Sequence, residues 1–162
     1  MRLPVRVAAV AVLAAALAWW WWGGGEEARV RARLNEAADA VSALSRESGL
    51  QRAASAAGFA RLLNPDIRVV APDGRSIEGR DAVIAFLTRA AGVEPFTVTL
   101  ADLDVQLETD ERRAVATATA LVEGSGRLAE ETAGQELRFE LARVDGEWLI
   151  AAVEAIAALE RP

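Results

Sequence analysis

Residues 96–123, FTVTLADLDVQLETDERRAVATATALVE, decide the fold class of this chain. Apolar and polar side chains alternate along them with a period of two, which is the pattern of β-strands that bury one face. The apolar positions change from even to odd numbers at Ala101 and Asp102. One extra residue there would keep both apolar sets on the same face, so the pattern predicts a β-bulge and a bend in the first strand.

The same residues predict a hairpin with alanines on its inner face. After a turn at 110–111, a tight register pairs three apolar residues of the first strand with three alanines of the second: Leu107 with Ala114, Val105 with Ala116 and Leu103 with Ala118. Ala120 continues the row along a strand at 113–123. Small side chains inside a curved sheet either let helices approach closely or leave an apolar cavity.

Two more strands follow this hairpin. Segments 136–144 and 147–155 flank Asp145-Gly146, which is a turn signal of tight hairpins. In the first of them, Leu137, Phe139 and Leu141 should face inward. The polar segment 124–134 is expected to be a loop.

The N-terminal half of the domain shows helical periodicity instead. Apolar residues at spacings of three and four predict a helix over 26–47 with one buried stripe: Val30, Leu34, Ala37, Val41 and Leu44. A second helix should run to Leu63, capped by Ser48 and Gln51, with another set facing inward: Leu50, Ala53, Ala57, Ala60 and either Phe59 or Leu63. A third helix is expected at 80–91, between Gly79 and Gly92.

A short strand pair, 67–71 and 76–78, is predicted between the second and third helices. Helices segregated from a run of strands indicate an α+β domain. We therefore expect a cone-shaped domain of about three N-terminal helices packed on a strongly curved antiparallel sheet of four long strands plus the short pair. Residues 26–162 suffice for one such domain and are too few for two.

Three passages resemble the nuclear transport factor 2-like and SnoaL-like proteins. They are FARLLNPDIRV at 59–69, GRSIEGRDAVIAFL at 74–87 and DGEWLI at 145–150. The resemblance implies a cone whose mouth opens between the helices and the curved sheet. Some members of this superfamily are isomerases, cyclases or dehydratases, and others only bind ligands or partners. The enzymes place Asp, His or Tyr in the pocket, and no catalytic motif of theirs matches this chain.

The composition excludes several kinds of site. The chain contains no Cys, His or Tyr, so disulfides, thiolate metal sites and the commonest general base are absent. We expect no metal and no cofactor. The net charge of −6 argues against nucleic acid as a partner. Three aspartates are candidate pocket carboxylates, but turn chemistry and strand alternation predict that all of them face solvent: Asp66, Asp102 and Asp104.

If the cone contains a cavity, six residues are expected to line it: Phe59, Phe86, Ala116, Ala118, Phe139 and Trp148. Such a cavity would be apolar and poorly equipped for acid–base chemistry. The alternative is that the alanines admit a helix and that Trp148 belongs to the core.

Residues 1–25 are interpreted as a membrane segment with a glycine linker. The stretch 3–22 is apolar except for Arg6, is about long enough to cross a bilayer as a helix, and ends in four tryptophans, Trp19 to Trp22. Basic residues before the span predict a cytoplasmic N-terminus and an extracytoplasmic domain, which in a bacterium is periplasmic and held by the inner membrane. The alternative is a signal peptide cleaved after Ala16-Leu17-Ala18, which would release the domain.

Three hypotheses for function follow. The first is a noncatalytic, membrane-tethered accessory domain that binds a protein partner or a small apolar ligand. The second is a structural module that dimerises through its sheet. The third is an isomerase- or hydrolase-type enzyme that uses a carboxylate in the cone. A monomer and a homodimer are both compatible with the sequence.

Overall fold

The computed structural model describes residues 25–92, 94–124 and 133–156, which form three helices and six strands. The helices are α1 (Glu26–Arg46), α2 (Gly49–Ala60) and α3 (Arg80–Ala91). The strands are β1 (Leu63–Val70), β2 (Ser76–Glu78), β3 (Phe96–Leu107), β4 (Arg113–Gly124), β5 (Ala133–Val144) and β6 (Glu147–Ala155).

All six strands belong to one curved sheet with the order β2-β1-β6-β5-β4-β3. Strands β3 to β6 are consecutive antiparallel neighbours, and β1 and β2 form a second antiparallel group. The helices pack on this sheet around one apolar core. The predicted α+β class is therefore confirmed, with three helices on a curved sheet. The two strand groups are joined by a parallel pairing of β1 with β6, which makes the sheet mixed and which the sequence pattern does not predict.

The predicted bulge in β3 is confirmed. Asp102 has a φ of 52°, and the register with β4 shifts between Ala101 and Asp104. Two residues, Asp102 and Leu103, therefore oppose Ala118 of β4. The predicted pairs of Leu107 with Ala114 and of Val105 with Ala116 are also present. All four alanines of the row are buried, at 5% exposure or less.

Helix α1 carries the stripe that its periodicity predicts. Val30, Leu34, Ala37 and Leu44 are buried, and Val41 is partly buried against the same core. Each large side chain of this kind contributes roughly 1.5–3 kcal/mol when it leaves water. The apolar stripe is thus the main reason that α1 packs on the sheet.

The predicted inward face of α2 is wrong except at its end, where Phe59 and Leu63 are buried. Leu50 is 87% exposed, Ala53 and Ala57 are exposed as well, and Phe59 is the buried residue of the helix. Polar contacts with the end of α1 set the rotation, because Arg52 Nε donates to the Leu44 carbonyl at 3.1 Å and Ser55 donates to the Glu47 carboxylate. Alanines on several faces of a helix discriminate poorly between rotations, because burying so small a side chain gains little free energy.

The boundary predictions for α2 also fail in part. The Ser48 side chain makes no capping bond, and the helix ends at Ala60 instead of Leu63. Strand β1 accordingly starts earlier than predicted, at Leu63, and is irregular up to Arg68. Within that irregularity the Asp66 N–H donates to Asn64 Oδ1 at 3.0 Å, which is a local turn bond.

The turns around the shorter elements agree with expectation. β2, α3 and β6 have the predicted bounds. Asp145 and Gly146 have φ values of 51° and 86°, so both central residues of the last hairpin have the positive φ of a type I′ turn. Gly79 precedes α3 with a φ of 88°, a conformation that strongly favours glycine.

A hydrogen-bonded seam joins α1 to the edge strand β3. The Phe96 N–H donates to Ser45 Oγ at 3.0 Å, and the Val98 N–H donates to Ser42 Oγ at 2.8 Å. Further along the strand, Arg31 Nη2 donates to the Leu103 carbonyl at 3.1 Å. Both serines are at least 96% buried, since their exposed fractions are 2% and 4%. The helix therefore covers a strand edge that would otherwise present unpaired backbone groups.

Residues 1–24, 93, 125–132 and 157–162 lie outside the described ranges, and they include the predicted membrane segment at 3–22 and most of the predicted loop at 124–134. In the described part of the chain, no helix combines the length and apolar character required to span a bilayer.

Replacing either seam serine by alanine should destabilise the domain. Ser42→Ala or Ser45→Ala leaves a partly buried N–H of β3 without its acceptor, so the free energy of unfolding should fall by about 1–2 kcal/mol for each. Urea denaturation followed by circular dichroism measures this loss.

The matched control is Ser48→Ala. Ser48 lies three residues after Ser45, is exposed and makes no side-chain cap bond. Its effect should stay within about 0.5 kcal/mol. Equal losses for all three variants would show that the seam contributes nothing specific.

Candidate functional site

An apolar pocket of about 240 Å³ lies between the helices and the concave face of the sheet. Eighteen residues line it, and every one is aliphatic or aromatic. They are Leu34, Ala37, Ala38, Val41, Phe59, Leu63, Ile67, Val69, Ile77, Val83, Phe86, Leu87, Val98, Leu100, Leu137, Phe139, Ile150 and Val153.

The elements contribute to this pocket in different ways. α1 provides small side chains, Ala37 and Ala38, at the middle of its inner face. Three other elements each provide a phenyl ring: Phe59 from α2, Phe86 from α3 and Phe139 from β5. Phe59 and Phe139 are buried, whereas Phe86 is 49% exposed. The pocket therefore opens to solvent beside Phe86.

Three of the six residues predicted to line a cavity are in the lining: Phe59, Phe86 and Phe139. Ala116 and Ala118 are instead part of the buried core, at 1% and 3% exposure. Trp148 is also in the buried core, at 3% exposure, and it borders a polar groove between α1 and the β5–β6 hairpin. The structure thus brings the phenylalanines together and leaves the alanine row and the tryptophan outside the pocket.

Trp148 has a structural contact that the sequence does not reveal. Its Nε1 donates to Glu26 Oε2 at 2.8 Å, while Arg29 and Arg143 lie 2.8 Å and 3.3 Å from Glu26 Oε1. Nearby, Arg33 forms ion pairs with Glu36 and Glu147. These contacts attach the start of α1 to the β5–β6 hairpin.

Most lining residues were missed as cavity residues, although many were predicted to be apolar and inward-facing. Val98 and Leu100 precede the bulge and alternate inward, so the strand pattern does identify their face. Ala37 and Ala38 belong to the inner side of α1, where a pair of small residues is the one local sign of free space. Periodicity predicts which face of a helix or strand is inward. It does not predict the distance to the element packed opposite, which decides whether a cavity is left.

The pocket has no polar side chain suited to acid–base work. Among the described residues, its lining includes no carboxylate, hydroxyl, amide or guanidinium. Asp66, Asp102 and Asp104 are all exposed, in agreement with the sequence-based expectation. No group of three or more acidic residues in the described part of the chain is arranged to hold a metal ion.

A displaced carboxyl pKa is found far from this pocket, in the β1–β2 turn. The backbone N–H of Arg75, together with its guanidinium, holds the pKa of Asp73 below its usual value. Asp73 is exposed in that turn, so its lowered pKa reflects local bonds that stabilise the turn.

The chemistry that the pocket offers is the binding of a hydrocarbon surface.

The comparisons with known proteins agree with this geometry. A family model for SnoaL-like domains matches residues 32–154. No curated protein sequence is significantly similar to the chain. A nuclear transport factor 2-like protein with a cystatin-like fold from Novosphingobium aromaticivorans superposes with a TM-score of 0.65 at 15% identity, over 92% of this chain and 90% of that one.

Two further solved structures are similar. A protein of unknown function from Mycobacterium tuberculosis superposes with a TM-score of 0.64 at 19% identity, over 78% of this chain and 72% of that one. A candidate dehydratase of the nuclear transport factor 2-like family from Streptomyces avermitilis gives 0.62 at 16% identity, over 82% and 96%. At such identities the likeness shows the fold alone.

Filling the pocket from α1 should be tolerated by the fold. In Ala38→Leu the added side chain enters free apolar space, so the free energy of unfolding should stay the same or rise by about 1 kcal/mol. Urea denaturation provides the measurement.

Ala28→Leu is the matched control, because Ala28 is exposed on the same helix and outside the pocket lining. It should change stability by less than about 0.5 kcal/mol. A loss of more than about 1 kcal/mol for Ala38→Leu alone would indicate overpacking and no usable space.

Proposed function

The chain belongs to the SnoaL-like domain family, and we propose that it is a noncatalytic binding domain whose cone takes up a small apolar ligand. We further propose that residues 3–22 tether this domain to a membrane, with the domain on the extracytoplasmic side. The family alone does not select a function, since its fold is shared by enzymes and binding proteins. The proposal therefore depends on the site.

The observation that carries the proposal is the wholly apolar lining of the pocket. A ligand that buries about 200 Å² of apolar surface there gains about 5 kcal/mol from leaving water. Part of this gain is offset by the lost freedom of the ligand on association. The balance is at most about 5 kcal/mol, which corresponds to binding in the range from about 0.1 mM to millimolar.

The absence of pocket polarity is also the reason for proposing a noncatalytic role. General acid–base catalysis requires a titratable group within hydrogen-bond reach of the substrate. Neither His nor Tyr nor Cys occurs in the chain. The dehydratase activity suggested for the similar protein from Streptomyces avermitilis is not transferred to this chain, because a likeness at 16% identity extends to the fold only.

The proposed tether rests on the sequence of the N-terminal segment. Arg2 and Arg6 precede an uncharged run that ends in four tryptophans. Only three glycines separate this run from Glu26, the first residue of α1. An anchored domain would therefore stand close to the membrane surface, with the β5–β6 hairpin beside its attachment point.

Native mass spectrometry of residues 25–162 should detect a bound apolar molecule that organic extraction removes. The wild type should carry it, Ala38→Leu should carry less of it because the leucine side chain occupies part of the pocket, and Ala28→Leu should carry it as the wild type does. Circular dichroism of each fragment verifies that the fold is retained. Empty wild-type protein that also takes up no added apolar probe would refute ligand binding, and an empty dimer would favour the dimerisation hypothesis.

The tether predicts that the full-length chain stays intact in the membrane fraction. After expression in a bacterium, carbonate washing should leave the protein with the membranes, and its intact mass should include residues 1–18. External protease should reach the domain only after the outer membrane is permeabilised. A soluble periplasmic product that begins after Ala18 would establish the cleaved signal peptide instead.

A further inference from the structure

The volume of the apolar pocket restricts the size of its ligand. At about 240 Å³ it exceeds the roughly 150 Å³ cavity that accommodates benzene, and it is smaller than the roughly 300 Å³ at which pockets for drug-sized ligands begin. Scaling the six carbons of benzene to this volume gives a ligand body of about ten carbon atoms.

The lining favours a rigid ring over a flexible chain. Phe59, Phe86 and Phe139 come from three different elements, so their rings border the same space from separate directions. Aromatic ligands gain from edge-to-face contacts with such rings. A flexible chain would lose on binding conformational freedom that a rigid ring does not have.

The polarity of the interior restricts the ligand further. The two buried hydroxyl groups of the described chain, Ser42 and Ser45, already bond to the backbone of β3. A ligand heteroatom inside the pocket would therefore lack a side-chain partner, which is unfavourable. Phe86 is the lining residue that remains substantially exposed. A polar substituent is compatible with binding only at that end.

We infer that the ligand is a neutral, compact ring compound with a hydrocarbon body of about ten carbon atoms and with any polar group directed to the mouth beside Phe86. This inference rests on the proposed binding function and narrows it to a ligand class. It excludes long acyl chains and polycyclic compounds with many rings as good occupants.

The test compares four probes on the full chain in phosphatidylcholine nanodiscs. They are naphthalene, n-decane, pyrene and 2-naphthoate, each at saturation. Thermal unfolding of the domain, followed by circular dichroism, reports binding because a ligand of the folded state raises the unfolding midpoint. Ala38→Leu in the same nanodiscs is the blank, since its bilayer takes up the probes equally while the leucine side chain leaves too little space for a ring compound of about ten carbon atoms.

We expect naphthalene to raise the midpoint of the wild type and not that of Ala38→Leu. n-Decane and pyrene should bind at least tenfold more weakly than naphthalene, because one is flexible and the other is too large. 2-Naphthoate should bind the wild type more weakly than naphthalene does, because its carboxylate can stay hydrated only at the mouth.

A positive charge added at the pocket opening beside Phe86 tests the proposed orientation of the bound ligand. Phe86→Arg places a cation where the polar group is expected and removes one phenyl ring for both naphthyl probes, so the ratio of the affinity for 2-naphthoate to that for naphthalene should rise roughly fivefold, the value of a partly exposed ion pair. Leu50→Arg is the control, because Leu50 is 87% exposed and outside the lining. Since Phe86 is itself 49% exposed, the substitution should not unfold the domain.

Different outcomes contradict the inferred ligand class, the inferred ligand orientation and the proposed binding function. Equal stabilisation by n-decane or pyrene would overturn the ring class and leave apolar binding in place. An unchanged ratio of 2-naphthoate to naphthalene affinity in Phe86→Arg would overturn the proposed orientation of the ligand. If no probe stabilises the wild type beyond the blank, the binding function itself fails.

Discussion

The seam between α1 and β3 is the contact on which the rest of the structure depends. Between Arg31 and Ser45 the helix rises about 21 Å, and between Phe96 and Leu103 the strand extends about 23 Å. The two elements therefore run side by side in opposite directions, linked at both ends by side chains of the helix. An edge strand at the end of a sheet is exposed to pairing with other chains. Here a helix occupies that edge, and its apolar stripe consequently covers the concave face.

The pocket is a consequence of this arrangement and of the residues that α1 presents. Leu34 and Leu44 fill the space beneath the helix, while Ala37 and Ala38 between them leave part of it open. The second attachment, from Glu26 to Trp148 and Arg143, fixes the other end of the helix against the last hairpin. A helix held at both ends does not collapse readily onto the sheet, so the apolar space persists. Well-packed interiors rarely keep voids of this size, which supports a binding role.

Local patterns predicted the features that local chemistry controls. The change of alternation at Ala101 and Asp102 identified the bulge, because a strand cannot keep one face buried across such a change without an extra residue. The turn at Asp145 and Gly146 followed from the positive φ that few residues tolerate. The rotation of α2 was not predictable in this way, because its alanines carry little burial free energy and the contacts of Arg52 and Ser55 with α1 are tertiary.

The sequence by itself determined the α+β class, the apolar face of α1, the four long strands and the lack of the usual catalytic side chains. These follow from periodicity and composition, which act within single elements. Only the tertiary structure decided the parallel pairing of β1 with β6 and the separation of core from pocket. Ala116 and Phe139 are paired on neighbouring strands and both belong to the core, yet only Phe139 also lines the pocket. The physical reason is that free space depends on the distance between opposing elements, and no single segment encodes that distance.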